Sequence, residues 1–258
     1  MTFMSSPVLA NEDSLSTPAI TEAFLPIGNQ RPGTQMKPEF VTIHNTANPR
    51  EGADARMHSN YLLSGRKYDV SWHFTVDDHQ IINHIPSNEI AWHAGDWMGD
   101  GNTKSIGIEI CENEGSDYRK AEESAETLAA MLLSEYELSI DRLVMHQHWT
   151  GKHCPHLLLD KEKGSVGWDQ FVQNVDKKLK QFNQQKKNNA SNTMVDMINP
   201  EKIDEKKDQK TIESNEDSST VSQQLIAIMS EPPVKSDETL KTSITSQDLV
   251  SLIKDAHE

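Results

Sequence analysis

The first 182 residues predict an α/β domain, a central mixed β-sheet flanked by helices. Three observations carry that expectation. Short β-rich runs alternate with longer amphipathic stretches. One run, "SIGIEICEN", alternates strictly, with Ile106, Ile108 and Ile110 on one face and Gly107, Glu109 and Cys111 on the other. Every Trp, Tyr and Phe of the 258-residue chain lies at or before Phe182, so the residues able to build a core are confined to the front of the sequence.

Taken in order, "FVTIH" (Phe40 to His44) is a short strand. "DARMHSNYLLSG" sets Met57 and Tyr61 at i,i+4 and stops at Gly65, which predicts a helix. "SWHFTV" and "QIINHI" form a hairpin around Asp77-Asp78-His79. The isoleucine strand follows. "EESAETLAAMLLSEYEL" places Ala125, Leu128, Ala129, Leu132 and Tyr136 on one helical stripe. "RLVMH" is another short strand. "GWDQFVQNVDKKLKQF" lines up Trp168, Phe171, Val172, Val175, Leu179 and Phe182 and is expected to close the domain.

Domain boundaries follow from composition. Residues 22–182 form the domain. Residues 183–258 are acidic, polar and free of aromatics; they cannot bury enough apolar surface to offset their ordering entropy and are expected to be disordered. Two less polar patches there, Val221 to Met229 and Asp248 to His257, have the character of short helices. Residues 1–21 are expected to be disordered too. "VLA" before Asn11 reads like the small-residue end of a signal peptide's cleavage site, although the basic and long apolar parts of a signal are missing.

Charge and composition exclude several classes. A net charge of -15 with no basic stripe argues against nucleic acid as a partner. No apolar run approaches the roughly 18 residues of a membrane span. Two cysteines, Cys111 and Cys154, cannot build a disulfide framework. "DWMGDGNTKSIG" is no EF-hand, because Met98 and Gly107 stand where calcium ligands are required.

The chemistry concentrates in histidines. Ten of the eleven fall between His44 and His156. His44 and His146 each end a predicted strand, where α/β proteins place their sites. In "HQHWTGKHC", Gly151 lets the chain turn back and bring Cys154 towards His146. Two histidines and one thiolate are a three-ligand set for catalytic zinc, with bonds expected at about 2.0–2.3 Å. Two other readings stand beside it: polar loop histidines around a buried free cysteine, and a Cys154 nucleophile with His146 as its base.

"FVTIHNTA", "VSWHFTVDD", "AWHAGD…GNTKSIGIEICEN" and "HQHWTGKHCPH" together resemble the zinc-dependent N-acetylmuramoyl-L-alanine amidases. That family includes phage endolysins and bacterial autolysins and shares a fold with peptidoglycan recognition proteins. The resemblance spans about Phe24 to Val175. It implies zinc (Zn2+) ligands at His44, His146 and Cys154, and catalytic roles for Glu109 and Lys152. Where some members have a tyrosine before the hairpin histidine, this chain has Trp72, which cannot donate a phenolic proton, so the acid/base work is expected of Glu109.

Further roles are expected of neighbours. His73 is expected to orient a ligand from behind. Asn45, Trp72, Trp92, His93 and Asn102 are expected to contact substrate. His148, His153 and His156 are read as polar loop residues, and Cys111 as a buried strand thiol. The implied activity is cleavage between N-acetylmuramic acid and L-alanine of peptidoglycan. The alternative within the same fold is a muropeptide-binding module without catalysis. A monomer is expected, either exported to the cell wall or released onto it as a phage lysin.

Overall fold

Short apolar runs bounded by polar turns become six strands: β1 (Ile20–Glu22), β2 (Phe40–Asn45), β3 (Phe74–Val76), β4 (Ile81–Asn83), β5 (Ser105–Ile110) and β6 (Leu143–Met145). This computed structural model describes residues 19–65 and 69–198, with side chains to residue 191. The strands form one sheet in the order β1-β4-β3-β5-β2-β6. β3, β5, β2 and β6 run parallel, and β3–β4 is the antiparallel hairpin expected around Asp77. The fold is therefore the mixed sheet with helices that the sequence predicts.

Register decides which side chains share a face. Val41 pairs with Ile106 and Ile43 with Ile108; these four side chains are fully buried beneath the helices. The alternate positions pair Thr42 with Gly107 and His44 with Glu109, so the histidine and the carboxylate come to the opposite face together.

Six helices complete the domain: α1 (Ala55–Leu63), α2 (Asp100–Thr103), α3 (Tyr118–Glu135), α4 (Gln147–Thr150), α5 (His156–Asp160) and α6 (Trp168–Ile198). α3 and α6 pack together over the isoleucine face, through Leu128 and Leu132 from one and Phe171, Val175 and Leu179 from the other. Burying each such side chain contributes about 1.5–3 kcal/mol. α1 is capped by the Asp54 carboxylate, which accepts from the Met57 N–H. It contacts β3 and β4 with Ala55, His58, Ser59 and Leu62 inward. The Met57–Tyr61 pair is not its core side; both residues face a cleft.

Both ends of the domain differ from expectation. β1 begins at Ile20, inside the stretch expected to be disordered, and pairs with β4. α6 runs on past Phe182 to Ile198. There the Ser134 hydroxyl donates to Asn183 Oδ1 at 2.7 Å, and Lys186 Nζ donates to the Ser134 carbonyl at 2.5 Å. The VLA motif, the two apolar patches and the rest of the expected disordered ends lie outside the described residues. A chain ending at Phe182 loses both contacts to Ser134. At about 1 kcal/mol each, it is expected to melt about 4–8 °C below a chain ending at Ser191. Paired thermal denaturation checks this, and coincident melting curves would show that the contacts contribute nothing.

Candidate metal centre and cleft

Three donors meet where β2 and β6 end. His44 is the penultimate residue of β2, and His146 follows β6 directly, its N–H bonded to the Ile43 carbonyl at 3.2 Å. Cys154 returns to them through α4 and Gly151, whose φ of 77° is the left-handed turn the sequence anticipates there. The Gln147 N–H closes the loop on the Cys154 carbonyl at 3.0 Å. The ligand atoms of His44, His146 and Cys154 all lie within 4.8 Å of one another, and all three residues are buried.

Proton positions around this trio follow from its partners. A carbonyl oxygen only accepts, so each imidazole nitrogen facing one carries a proton. His93 Nε2 donates to the Ser105 carbonyl at 3.0 Å, which leaves His93 Nδ1 as an acceptor. His44 Nε2 donates to that Nδ1 at 3.0 Å, which leaves His44 Nδ1 bare. His146 Nε2 donates to the Ala94 carbonyl at 2.8 Å, which leaves His146 Nδ1 bare. The two bare nitrogens face each other at 3.0 Å, with the Cys154 sulfur 3.9 Å from His44 Nδ1.

Two facing lone pairs repel unless something positive lies between them. Protonation is disfavoured: burial first, then the neighbouring His93 and His146 rings, hold the His44 pKa well below the usual histidine value. His146 is lowered too, again mainly by burial. A cation bound by both nitrogens and the thiol resolves the arrangement. Bonds of about 2.0–2.3 Å in a tetrahedral set require donors roughly 3.3–3.7 Å apart, and the observed spacings bracket that range.

The same donors speak against a cysteine nucleophile. Burial first, and the Glu109 carboxyl after it, push the Cys154 thiol up to about 12. The nearest ring nitrogen offers it one lone pair already directed at His146. A thiol so placed ionises beside a cation rather than through a histidine base.

Glu109 stands beside the trio, with Oε1 3.9 Å from His44 Nδ1. Its Oε2 is buried and has no hydrogen-bond partner. Burial pushes its pKa up to about 8, against the pull of the Lys152 cation. Glu109 and Lys152 line a cleft of 520 Å³ together with Asn45, Arg50, Tyr61 and Trp72. Asn45 also braces the fold there. Its Oδ1 accepts from the Leu157 N–H at 3.0 Å and its Nδ2 donates to the Tyr118 hydroxyl at 2.9 Å, tying β2 to α5 and α3. The Trp72 indole donates to Thr75 Oγ1 at 2.7 Å, which fixes its ring in the cleft wall.

Several expectations are corrected here. His93 and Asn102 are not placed to touch substrate. His93 is 6% exposed and both of its ring nitrogens are taken. Asn102 Oδ1 accepts from the His93 and Ala94 N–H groups at 2.8 Å, so it holds the loop that presents the Ala94 carbonyl. Trp92 lies beside the cleft, with its indole N–H on the Asn29 carbonyl at 2.8 Å. His73 touches no candidate ligand. It donates to the Glu89 carbonyl and accepts from the Gly107 N–H, both at 2.9 Å, and lies one ring further back against His93. The ring bonded to His44 from behind is His93, not His73. Cys111 is a fully buried thiol on β5's C-terminal flank, as expected.

Sequence reasoning missed the Ala94 and Ser105 carbonyls, which set both tautomers. One trace of them was present. Gly107 interrupts the polar face of β5, and a Cβ there would meet His93 Cγ at 2.6 Å.

Converging nitrogen and sulfur donors next to a carboxyl group in a cleft form a candidate metal centre of the three-ligand kind. Over residues 34–157 the chain matches the N-acetylmuramoyl-L-alanine amidase model, and, with the 47%-identical catalytic domain that it covers almost completely, this places the chain in that family. It is 48% identical over 153 residues to the N-acetylmuramoyl-L-alanine amidase XlyA of Bacillus subtilis, covering 59% of this chain and 49% of that one. It is 45% identical over 158 residues to the amidase CwlH of the same organism, covering 60% of each. The chain thus spans about half to three fifths of the length of these curated relatives. The structure of the XlyA catalytic domain superimposes with a TM-score of 0.57 at 47% identity, covering 61% of this chain and 99% of that one.

Replacing His93 with Ala strips the His44 Nε2–H of its acceptor. Loss of such an orienting partner is expected to weaken metal binding about 10–100-fold, read by competition with a chelator. Unchanged affinity would show that His44 needs no partner behind it.

Proposed function

We propose that the chain is a zinc-dependent peptidoglycan hydrolase, cleaving the amide between the lactyl group of N-acetylmuramic acid and L-alanine. The observation that carries this reading is the convergence of two bare imidazole nitrogens and a thiol beside the unpartnered Glu109 oxygen. Family membership and the names of the relatives support the choice of bond. Two nitrogens and one sulfur at this spacing suit zinc among common biological cations.

A bound zinc ion supplies acidification of water towards a pKa of about 7 and polarisation of a carbonyl oxygen. The protein does the rest. His44, His146 and Cys154 would hold the ion. Glu109 Oε2 accepts a proton from the attacking water and passes it to the leaving amine nitrogen as the C–N bond breaks. The carboxylate form this requires is favoured by Lys152 and by a nearby divalent cation. Lys152 Nζ stabilises negative charge on the former carbonyl oxygen. The cleft carries the cations Arg50 and Lys152 against the single carboxylate of Glu109, in a chain of net charge -15. That local excess suits a peptide bearing free carboxylates.

A binding-only module leaves the converged donors and the Glu109 oxygen without a role. All the groups named come from one chain, so a monomer suffices. Its place of action is the cell wall, reached by export or after lysis.

Glu109→Gln keeps size and hydrogen-bonding capacity but cannot accept the proton. Zinc content and melting temperature are expected to hold, while release of new L-alanine amino termini from purified peptidoglycan falls about 10²–10⁴-fold. Turnover within a few-fold of wild type would remove Glu109 from the mechanism.

A further inference from the structure

Trp97 is the most exposed large apolar side chain among the described residues, at 76%. It is also held in an unusual way. Its φ is 57°, in the left-handed region that strains a bulky residue. The loop pins it there: Asn102 Nδ2 donates to the Trp97 carbonyl at 2.9 Å, and the Asp96 carboxylate accepts from the Gly101 and Asn102 N–H groups at 2.7 and 3.2 Å. The indole stacks on Trp92, with ring centroids 6.0 Å apart and planes 20° from parallel. Trp92 is itself fixed to the Asn29 carbonyl. The result is a rigid, flat aromatic face turned to solvent.

The same loop is tied to the site twice. Ala94, three residues before Trp97, holds His146 through its carbonyl. Trp92 exchanges hydrogen bonds with Ser71 at 3.0 and 3.1 Å, and Ser71 lies between Val70 and Trp72 of the cleft wall. Three residues reach at most about 11 Å, so Trp97 lies within that backbone distance of Ala94, whose carbonyl receives the candidate ligand His146.

We propose that Trp97 is a saccharide platform: a pyranose ring of the glycan strand, next to the N-acetylmuramic acid that carries the scissile amide, stacks on its exposed indole. This rests on the amidase reading, which requires a sugar on one side of the bond. The C–H face of a pyranose is flat and apolar, while its hydroxyls stay at the edge; stacking buries apolar surface on both partners without desolvating those hydroxyls. The surroundings favour this over a membrane or an apolar protein face. Asp96 precedes Trp97 in the same loop, Asp100 follows three residues on and is paired with Lys104, and Met98 is the exposed apolar residue next to Trp97 in sequence.

The test compares wild type, Trp97→Ala and Trp97→Phe on two soluble substrates. One is N-acetylmuramic acid carrying its peptide. The other is the same unit within a tetrasaccharide of alternating N-acetylglucosamine and N-acetylmuramic acid. For Trp97→Ala, KM on the tetrasaccharide substrate is expected to rise about tenfold with kcat unchanged, while the monosaccharide substrate is unaffected. Trp97→Phe is expected to restore most of the difference. Equal KM for wild type and Trp97→Ala on the tetrasaccharide overturns the platform, as do parallel losses on both substrates, which would mark a loop disturbance acting through Ala94. Wild-type protein that cleaves neither substrate overturns the amidase reading and the platform with it.

Discussion

Two main-chain carbonyls, those of Ala94 and Ser105, set the proton positions of the buried histidines around His44 and His146. Each accepts a hydrogen bond from the N–H of a buried imidazole and so fixes which nitrogen is left bare. Through His93 the Ser105 carbonyl determines the state of His44, and the Ala94 carbonyl determines that of His146. Burial holds these rings neutral; His93 is lowered to about 3. Neutral rings with assigned protons leave two lone pairs 3.0 Å apart, an arrangement that a cation stabilises and nothing else nearby does.

The fold serves that arrangement. Parallel pairing of β2 with β5 sets His44 opposite Glu109, and a one-residue slip of β2 would send His44 to the isoleucine face and away from Glu109. Gly107 clears the space in which His93 lies. Asn102 then gathers the loop whose carbonyl receives His146, and the same loop carries Trp97 outward. One segment, from Trp92 to Asn102, therefore carries both the Ala94 carbonyl that receives His146 and the exposed Trp97.

Much of this was legible in the sequence, for physical reasons. The Ile106, Ile108 and Ile110 alternation has a period of two, so it predicts both the strand and the outward direction of Glu109. His44 and His146 end β-rich runs, and a glycine between His146 and Cys154 announces a returning loop. The roles of His73 and His93 were not legible, because a tautomer depends on partners supplied by folding: Ser105 and Ala94 lie 12 and 52 residues from the rings they bind. β1, at three residues, is too short to show a period. From Asn183 to Ser191 the continuation of α6 lacks an apolar stripe. It is supported instead by pairs such as Gln184 with Asn188 and by anchorage of Asn183 and Lys186 to Ser134.

The central claim is that both histidines present Nδ1 to one ion while Nε2 stays protonated. Long-range proton–nitrogen correlation spectra of the zinc-loaded protein, with imidazole nitrogens labelled, test it directly. The expected spectrum shows His44 and His146 each with a proton on Nε2 and a metal-bound Nδ1, at one zinc per chain. Coordination through Nε2 at either residue, or zinc bound without either, would contradict the account.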